Sequence, residues 1–222
     1  MGHGFPISAI AHDTPLEPRG ALALPGHYTA KLTVEGKAYS QPFVVKMDPR
    51  VKTPTAELAR QFTMQSEAAA GMNESFEELA EVKSTREQVK AAMEKPSSAE
   101  AKQKLAEFDK KAAALEGAAV PGFFGVPLAG KQPENFSTLN QRFGQVLAIA
   151  DAADAAPTAQ TEAVAAELKN ALKDASTRWK QLKKTDLTAL NQLLEHEKSG
   201  KIDPERKVGE VPSDDVDGDD EP

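Results

Sequence analysis

The stretch LARQFTMQSEAAAGMNESFEEL, residues 58–79, carries the clearest periodicity in the chain. Its apolar and small side chains recur at alternating steps of four and three, at Leu58, Phe62, Gln65, Ala69, Met72, Phe76 and Leu79. Such a heptad pattern indicates a helix that packs along one seam against other helices. The preceding Thr53-Pro54-Thr55 is typical of a helix start. The pattern therefore predicts one long helix over about 55–94.

Downstream, helical stripes alternate with proline and glycine breaks. They predict helices over about 98–116, 134–151, 158–183 and 186–198. The inward residues are expected to be Ala101, Leu105, Phe108, Ala112 and Leu115, then Phe136, Leu139, Phe143, Val146, Leu147 and Ala150, then Thr161, Val164, Leu168, Leu172, Ala175, Trp179 and Leu182, and finally Leu187, Leu190 and Leu194. Because the link at Pro96 is short, the first two helices should form an antiparallel hairpin. We expect a mainly α chain, with an antiparallel up-and-down helical bundle over 53–198.

Residues 1–52 have a different character, rich in glycine, proline and β-branched side chains. Apolar side chains at Tyr28, Ala30, Leu32 and Val34 alternate with polar ones, which predicts a strand with one apolar face. A turn at Gly36 leads to a return strand over about 38–47, where Pro42 indicates an edge or a bulge. An isolated hairpin is marginal in water. We therefore expect this part either to pack on the helices or to belong to a larger β-sandwich.

Composition excludes several classes of protein. The chain has 222 residues, of which 40% are hydrophobic and 27% charged, as in globular proteins. Cysteine is absent, which excludes a disulfide scaffold, a thiolate zinc site, an iron–sulfur cluster and a cysteine nucleophile. No apolar run reaches the roughly 18 residues that a membrane-spanning helix needs. The start MGHGFPISAIAHD does not have the pattern of a secretory signal, so none is expected.

The net charge of −7 is concentrated at the C-terminus. Residues 212–222 hold six acidic side chains and no basic one, which leaves a net charge of only −1 on the rest. Since nucleic-acid binding needs a clustered basic face, we expect no nucleic-acid partner. Residues 199–222 are predicted to form a disordered acidic tail. Its SDDVDGDDE run is also compatible with calcium binding, although Ser213 occupies the first ligand position, or with contact to a basic partner surface.

The sequence contains none of the common catalytic motifs. GxSxG, GxxxxGK[ST], GxGxxG and HExxH are all absent. The four histidines are not spaced as metal ligands, and the glutamates near 74–81 lack the Glu-x-x-His partners of a di-metal bundle. We therefore predict that the chain is not an enzyme and holds neither cofactor nor metal.

Two segments are candidates for contact with a partner protein. The connection GAAVPGFFGVPLAGKQP, residues 117–133, is long and apolar, and is either a loop packed on its own chain or a docking loop. Residues 1–20 have no clear period and indicate an extended arm. The predicted contact residues are Phe5, Ile7, Ile10, Phe123, Phe124 and Val126.

Several segments resemble one protein family in order and spacing. The run ALALPGHYTAKLTVEGKAYSQPFVVKMDPRV, residues 21–51, followed by KTP, is similar to a C-terminal region of bacterial sortilin-like, BNR-repeat propeller proteins, many of which are described as glycosyl hydrolases. Counterparts also exist for FSTLN at 136–140, DAADAAPTAQ at 151–160, Trp179 and DLTALNQLL at 186–194. The resemblance covers about residues 15–195.

The resemblance implies a small Ig-like β module, seen here as a hairpin or partial sandwich, attached to helices. It also implies a periplasmic or extracellular location. The propeller repeats and their Asp-boxes are absent from this sequence, so the hydrolase activity does not carry over. We predict a non-catalytic structural subunit that docks on other subunits of a larger complex, for which a peripheral position on a membrane complex is one candidate. The alternatives are a support module of a propeller-type hydrolase, or a carbohydrate-binding module using Tyr28, Tyr39 and Phe43.

Overall fold

The computed structural model describes residues 20–95, 97–117 and 134–206, together with the backbone of two short strands within 118–133. The helices are α1 (Thr55–Met93), α2 (Ala99–Glu116), α3 (Phe136–Ala150), α4 (Ala159–Leu182) and α5 (Thr188–His196). The strands are β1 (Gly26–Val34), β2 (Lys37–Val45), β3 (Gly122–Phe123) and β4 (Val126–Pro127). The prediction of a mainly helical chain with a small N-terminal hairpin is confirmed.

The helices form three rods. The first is α1, whose 39 residues span about 58 Å. The third contains α4 and α5 and runs parallel to α1, because the residues that pair between them keep a nearly constant separation in sequence. These pairs are Arg60 with Glu162, Glu67 with Lys169, Glu78 with Ser176 and Glu81 with Trp179. The second rod contains α2 and α3, which lie end to end against successive halves of α1.

The second rod runs antiparallel to the other two. The Asn140 side chain of α3 donates to the Met72 carbonyl at 2.7 Å, whereas Gln61, earlier in α1, donates to the carbonyl of Ala150, at 2.5 Å. At its other end, Arg86 of α1 forms an ion pair with Asp109 of α2 at 2.8 Å. The chain therefore passes up α1, down through α2 and α3, and up again through α4 and α5, which is an up-and-down bundle of three rods.

A π-helical turn, Lys183–Leu187, joins α4 to α5 without a break. Thr185-Asp186, read as a helix cap, predicted a separate last helix, and this prediction is wrong. The buried stripe steps by five residues from Leu182 to Leu187. A π turn accommodates one extra residue in the helix. The third rod therefore continues to His196, and both stripes face the same core.

The helix starts follow from local chemistry. Side-chain oxygens of Ser98, Asn135 and Thr158 accept hydrogen bonds from the backbone N–H three residues ahead, at the starts of α2, α3 and α4. Such caps satisfy N–H groups that the first turn leaves unpaired. The predicted stripes of α2, α3 and α5 are all buried, as expected.

The predicted seam of α1 is partly wrong. Leu58, Gln65 and Met72 are buried, but Phe76 is 39% exposed. The buried positions that sequence reasoning missed are Gln61, Met64, Ala68, Gly71, Ser75, Val82, Ser84, Thr85, Val89 and Ala92. The reason is that α1 contacts both other rods, so its buried stripe is broader than a two-helix seam and is rotated toward α3.

The chain after α5 folds back onto the bundle. Ile202 is 2% exposed, and the Asn191 side chain donates to its carbonyl and accepts from its N–H, at 2.8 and 2.9 Å. Gly200, with φ +104°, turns the chain in this direction. The expectation of a tail beginning at 199 is therefore wrong for 199–206, and residues 207–222 lie outside the described part of the chain.

Candidate functional site

The hairpin is closed by a tight two-residue turn. Glu35 and Gly36 have φ of 49° and 80°. Two successive positive φ values are the mark of a type I′ turn, whose twist matches that of paired strands. The turn sets the register, which pairs Val34 with Lys37 and continues to Gly26 opposite Val45.

This register places most of the large apolar side chains of both strands on one side, which we call the apolar hairpin face. Its members are Tyr28, Ala30, Leu32, Val34, Tyr39 and Phe43. Gln41 and Lys37 lie on the same side, and Val44 lies on the other. Leu32 lies opposite Tyr39, and the Tyr28 and Phe43 rings stack with centroids 5.8 Å apart. Cross-strand pairs of this kind stabilise a sheet through side-chain packing.

The apolar hairpin face is uncovered by the described residues. Leu32 is 63% and Tyr39 58% exposed, and Val34 and Phe43 are exposed as well. Of the nine large hydrophobic side chains that are exposed in the described residues, six lie between 22 and 44: Leu22, Leu32, Val34, Tyr39, Phe43 and Val44. In the bundle, by contrast, Trp179 and Phe108 are buried at the centre of one continuous core. The helices cover their own apolar surface, and the hairpin does not.

The hairpin is anchored at its base. Only Gly26, Tyr28 and Val45 are half-buried among its strand residues. The Tyr28 hydroxyl donates to the Leu24 carbonyl at 2.6 Å. A crevice of about 30 Å³ lies between 22–25, Met47 and the start of α1. Of the two alternatives, packing on the helices is seen only at the base of the hairpin, and in the described residues β1 and β2 pair only with each other.

The outer edges of β1 and β2 differ in their ability to pair with a further strand. Pairs alternate along an antiparallel ladder, starting from the hydrogen-bonded pair next to the turn. Pro42 and its partner Thr29 thus form a non-hydrogen-bonded pair, so that Pro42 faces outward on β2. A proline cannot donate to a further strand, as the sequence analysis expected for an edge position. The outward groups of β1 at Thr29, Lys31 and Thr33 have no such block.

Most of the predicted contact residues lie outside the part of the chain that the structure describes. Phe5, Ile7, Ile10 and Phe124 lie outside the described residues. Phe123 and Val126 form the backbone pair of β3 with β4, and their side chains are likewise not described.

The connection that contains Phe123, Phe124 and Val126 begins and ends at the junction of α2 and α3. Gly117, after α2, has φ +63°, and its Cα faces the side chain of Asn135, which caps α3. A Cβ on residue 117 would overlap that side chain. The two ends of the connection, at Gly117 and Asn135, thus meet at the junction of α2 and α3, about halfway along the bundle.

A groove runs between the first half of α1 and most of the length of α4. Its main part has a volume of about 690 Å³, with Gly71, Phe143 and Leu172 among its lining, and a neighbouring part adds about 480 Å³. Small side chains in both helices leave this space. The groove was not predicted from the sequence, although the run of alanines at 68–70 indicates small side chains at this point of α1. For the same reason, the predicted inward residue Val164 is exposed.

Charged groups inside the bundle have structural partners. Glu81 accepts from the Trp179 indole N–H at 3.1 Å and pairs with Lys183, whose Nζ lies 5.3 Å from the Trp179 ring centroid. Arg86 donates to both Asp109 and Glu116, and the pKa of Arg86 is raised chiefly by its hydrogen bond to Asp109. These clusters tie the three rods together.

Two absences apply to the described ranges. No group of three or more histidine, aspartate or glutamate side chains there could hold a metal ion. None of the helices in these ranges combines the length and apolar content needed to cross a bilayer.

No family model, no curated protein and no solved structure matches this chain. The resemblance to sortilin-like propeller proteins therefore stays a prediction.

Proposed function

We propose that this chain is a non-catalytic interaction subunit that docks on another protein of a larger complex through the apolar hairpin face. The single observation that carries the proposal is the exposure of Leu32, Val34, Tyr39 and Phe43 on one side of a two-stranded sheet. Contiguous exposed apolar side chains of this kind mark interaction surfaces.

Burial of its apolar face would stabilise the hairpin. Full burial of a large apolar side chain contributes about 1.5–3 kcal/mol, and a lone two-stranded hairpin is marginal in water. A partner that covers the apolar hairpin face supplies the missing burial for both molecules. Aromatic side chains such as Tyr39 are typical anchors of such contacts.

The charge of the hairpin indicates what the partner surface should look like. Residues 26–46 contain three lysines, Lys31, Lys37 and Lys46, against one acid, Glu35. Lys37 lies opposite Val34 on the apolar hairpin face, whereas Lys31 lies on the other face. Opposite charges at the rim of an interface steer association and fix its orientation. We therefore propose a partner surface with an apolar centre and acidic side chains around it.

The bundle presents this surface at a distance. It is a rod of about 58 Å with the hairpin attached near the start of α1. The connection with Phe123, Phe124 and Val126 begins and ends halfway along the bundle, at Gly117 and Asn135, where we propose a second contact. An exported, membrane-associated complex fits this proposal through the family resemblance.

The test uses one charged substitution on each side of the hairpin. Leu32→Asp places a carboxylate in the apolar hairpin face, and the neighbouring Thr33→Asp places one on the opposite face. The full chain and both variants are purified under native conditions from the source, and the masses of the assemblies are measured. We expect a defined partner chain with the wild type and Thr33→Asp and its loss with Leu32→Asp. A lone monomer in all three, or equal recovery with both variants, would refute the proposal.

A carbohydrate-binding module is the second candidate. It is favoured by the stacked Tyr28 and Phe43 rings and by Tyr39 on the same face. Titration of the isolated chain with oligosaccharides separates the two functions, since saturable binding lost in Tyr39→Ala supports the carbohydrate module. Recovery of a propeller polypeptide as the partner would instead support the role of a hydrolase support module.

A further inference from the structure

We propose that the partner protein adds an extended segment of its own chain to the outer edge of β1, as a third strand of the hairpin sheet. This inference deepens the proposed function and rests on it, because it specifies how the partner is bound. In strand addition, main-chain hydrogen bonds give affinity and side chains at alternate positions give specificity.

The outer edge of β1 is open along most of its length. The ladder alternates from the hydrogen-bonded pair of Val34 with Lys37, so the outward N–H and C=O groups of β1 belong to every second residue. These residues are His27, Thr29, Lys31 and Thr33. All residues from 29 to 34 are exposed, and in the described part of the chain β1 pairs only with β2. An unpaired edge of this length is a template for another strand.

The outer edge of β2 is not equivalent to that of β1. Its outward positions are Ala38, Ser40, Pro42 and Val44. Pro42 has no N–H to donate and interrupts the row of hydrogen-bonding groups. A strand added to β2 would lose a hydrogen bond within the ladder, whereas a strand added to β1 meets four consecutive outward donors. The edge of β1 is therefore the one that accepts a partner strand.

A strand on this edge also widens the apolar hairpin face. Side chains that lie side by side in neighbouring strands point to the same side of a sheet. Apolar residues of the partner segment next to Ala30 and Leu32 would therefore pack against this face, where Leu32 is 63% exposed. A two-stranded hairpin is marginal in water, whereas three strands with an apolar face can be stable. The added strand thus stabilises the hairpin while it binds.

The charge of the hairpin indicates the composition of the partner segment. Lys31 lies in the middle of β1 and points away from the apolar hairpin face. An acidic side chain next to it forms an opposite-charge pair of the kind that stabilises a sheet. A second copy of the hairpin would instead bring together two surfaces that each carry three lysines and one acid. We therefore expect a segment of another protein in which apolar residues alternate with polar ones, among them an aspartate or glutamate.

The first experiment compares amide hydrogen exchange, resolved to single residues, in the isolated full chain and in the native assembly purified from the source. The outward amides of Thr29, Lys31 and Thr33 should exchange freely in the isolated chain and about tenfold or more slowly in the assembly. The outward amides of Ala38 and Ser40, on the other edge, should change by less than about threefold.

The second experiment uses two prolines on opposite edges. Lys31 and Ser40 face each other as a non-hydrogen-bonded pair, so Lys31→Pro and Ser40→Pro each remove an outward donor and keep the hydrogen bonds between β1 and β2. Pro42 already occupies such a position. Recovery of the partner chain should fall about tenfold or more with Lys31→Pro and by less than about threefold with Ser40→Pro. Lys31→Ala, which keeps the N–H and removes the charge, should have a smaller effect than Lys31→Pro.

Several results would overturn the inference. One is free exchange of the outward β1 amides in an assembly whose formation Leu32→Asp abolishes, because the partner would then cover the face without adding a strand. Another is protection of these amides in the isolated chain, which identifies an occupant from the same chain, or a second copy if protection grows with protein concentration. A third is an equal effect of Lys31→Pro and Ser40→Pro. Recovery of no partner chain with the wild type would refute the proposed function itself, so the two failures are distinguishable.

Discussion

Gly71 of α1 lies directly against the ring of Phe143 in α3, so close that a Cβ on residue 71 would come within 2.5 Å of the ring. Phe143 is buried, with 3% of its surface exposed. The contact sets how closely the first and second rods approach. It also explains why the buried stripe of α1 is rotated toward α3 and away from Phe76.

Gly71→Ala should therefore destabilise the bundle, even though alanine is the better helix former. Overpacking costs typically about 1–3 kcal/mol, whereas the helix propensity gained is about 1 kcal/mol. The matched control is Gly144→Ala in α3, where the nearest atom, the Met72 sulfur, is at an ordinary 3.5 Å. Urea unfolding, followed by the fluorescence of the single Trp179, should show a loss for the first variant and no loss for the second. A stabilised Gly71→Ala protein would contradict the close contact.

The return of the chain onto the bundle can be tested with two isoleucines. Ile202→Ala removes a buried side chain and should lower the free energy of unfolding by about 2 kcal/mol or more. Ile149, which is 61% exposed, is the control, and its replacement by alanine should change the free energy by less than about 0.5 kcal/mol. Equal effects in urea unfolding would show that residues 199–206 do not pack as described.

The α2–α3 junction predicts a strong effect at Gly117. Alanine there must adopt a left-handed backbone and displace the Asn135 side chain. The backbone conformation alone costs about 1–2 kcal/mol. Gly20→Ala is the control, because a Cβ there meets no atom within 4 Å. The midpoint of thermal unfolding should fall for Gly117→Ala and stay close to that of the wild type for Gly20→Ala.

Two carboxylates should affect the pH dependence of stability with opposite signs. Burial raises the pKa of Glu78, although the Ser176 hydroxyl opposes the shift, so ionised Glu78 weakens the folded state and the weakening disappears as pH falls. The hydrogen bond from Lys111 lowers the pKa of Asp186, so ionised Asp186 stabilises the folded state, and this contribution is lost as pH falls through its folded-state pKa. Urea midpoints measured from neutral pH downward should show Glu78→Gln more stable and Asp186→Asn less stable than the wild type at neutral pH. Both differences should shrink in acid, and the same sign for both variants would contradict these assignments.

The sequence predicted best where a helix buries a single face. The stripe of α2, from Ala101 to Leu115, is buried as expected, because its buried residues recur at steps of four and three along one face. The prediction for α1 was weaker because two rods contact it, and a heptad seam describes only one neighbour. A periodic pattern also cannot show that a step of five residues, from Leu182 to Leu187, is absorbed by a π turn.

The candidate site followed from the sequence only in part. Alternation from Tyr28 to Val34 was enough to predict the apolar hairpin face. Whether that face is covered depends on contacts with residues far away in the chain, which alternation does not encode. Ile202 was missed for a related reason, since a single isoleucine in a polar segment has no period.

Covalent surface labelling of Tyr39 tests the central claim most directly. The ring is 58% exposed in the described structure and should react readily in the isolated chain. In the native assembly purified from the source, we predict that labelling of Tyr39 falls severalfold while that of the exposed Ile149 in α3 changes little. Equal labelling of Tyr39 in the isolated chain and in the native assembly would contradict the claim that a partner protein covers the apolar hairpin face.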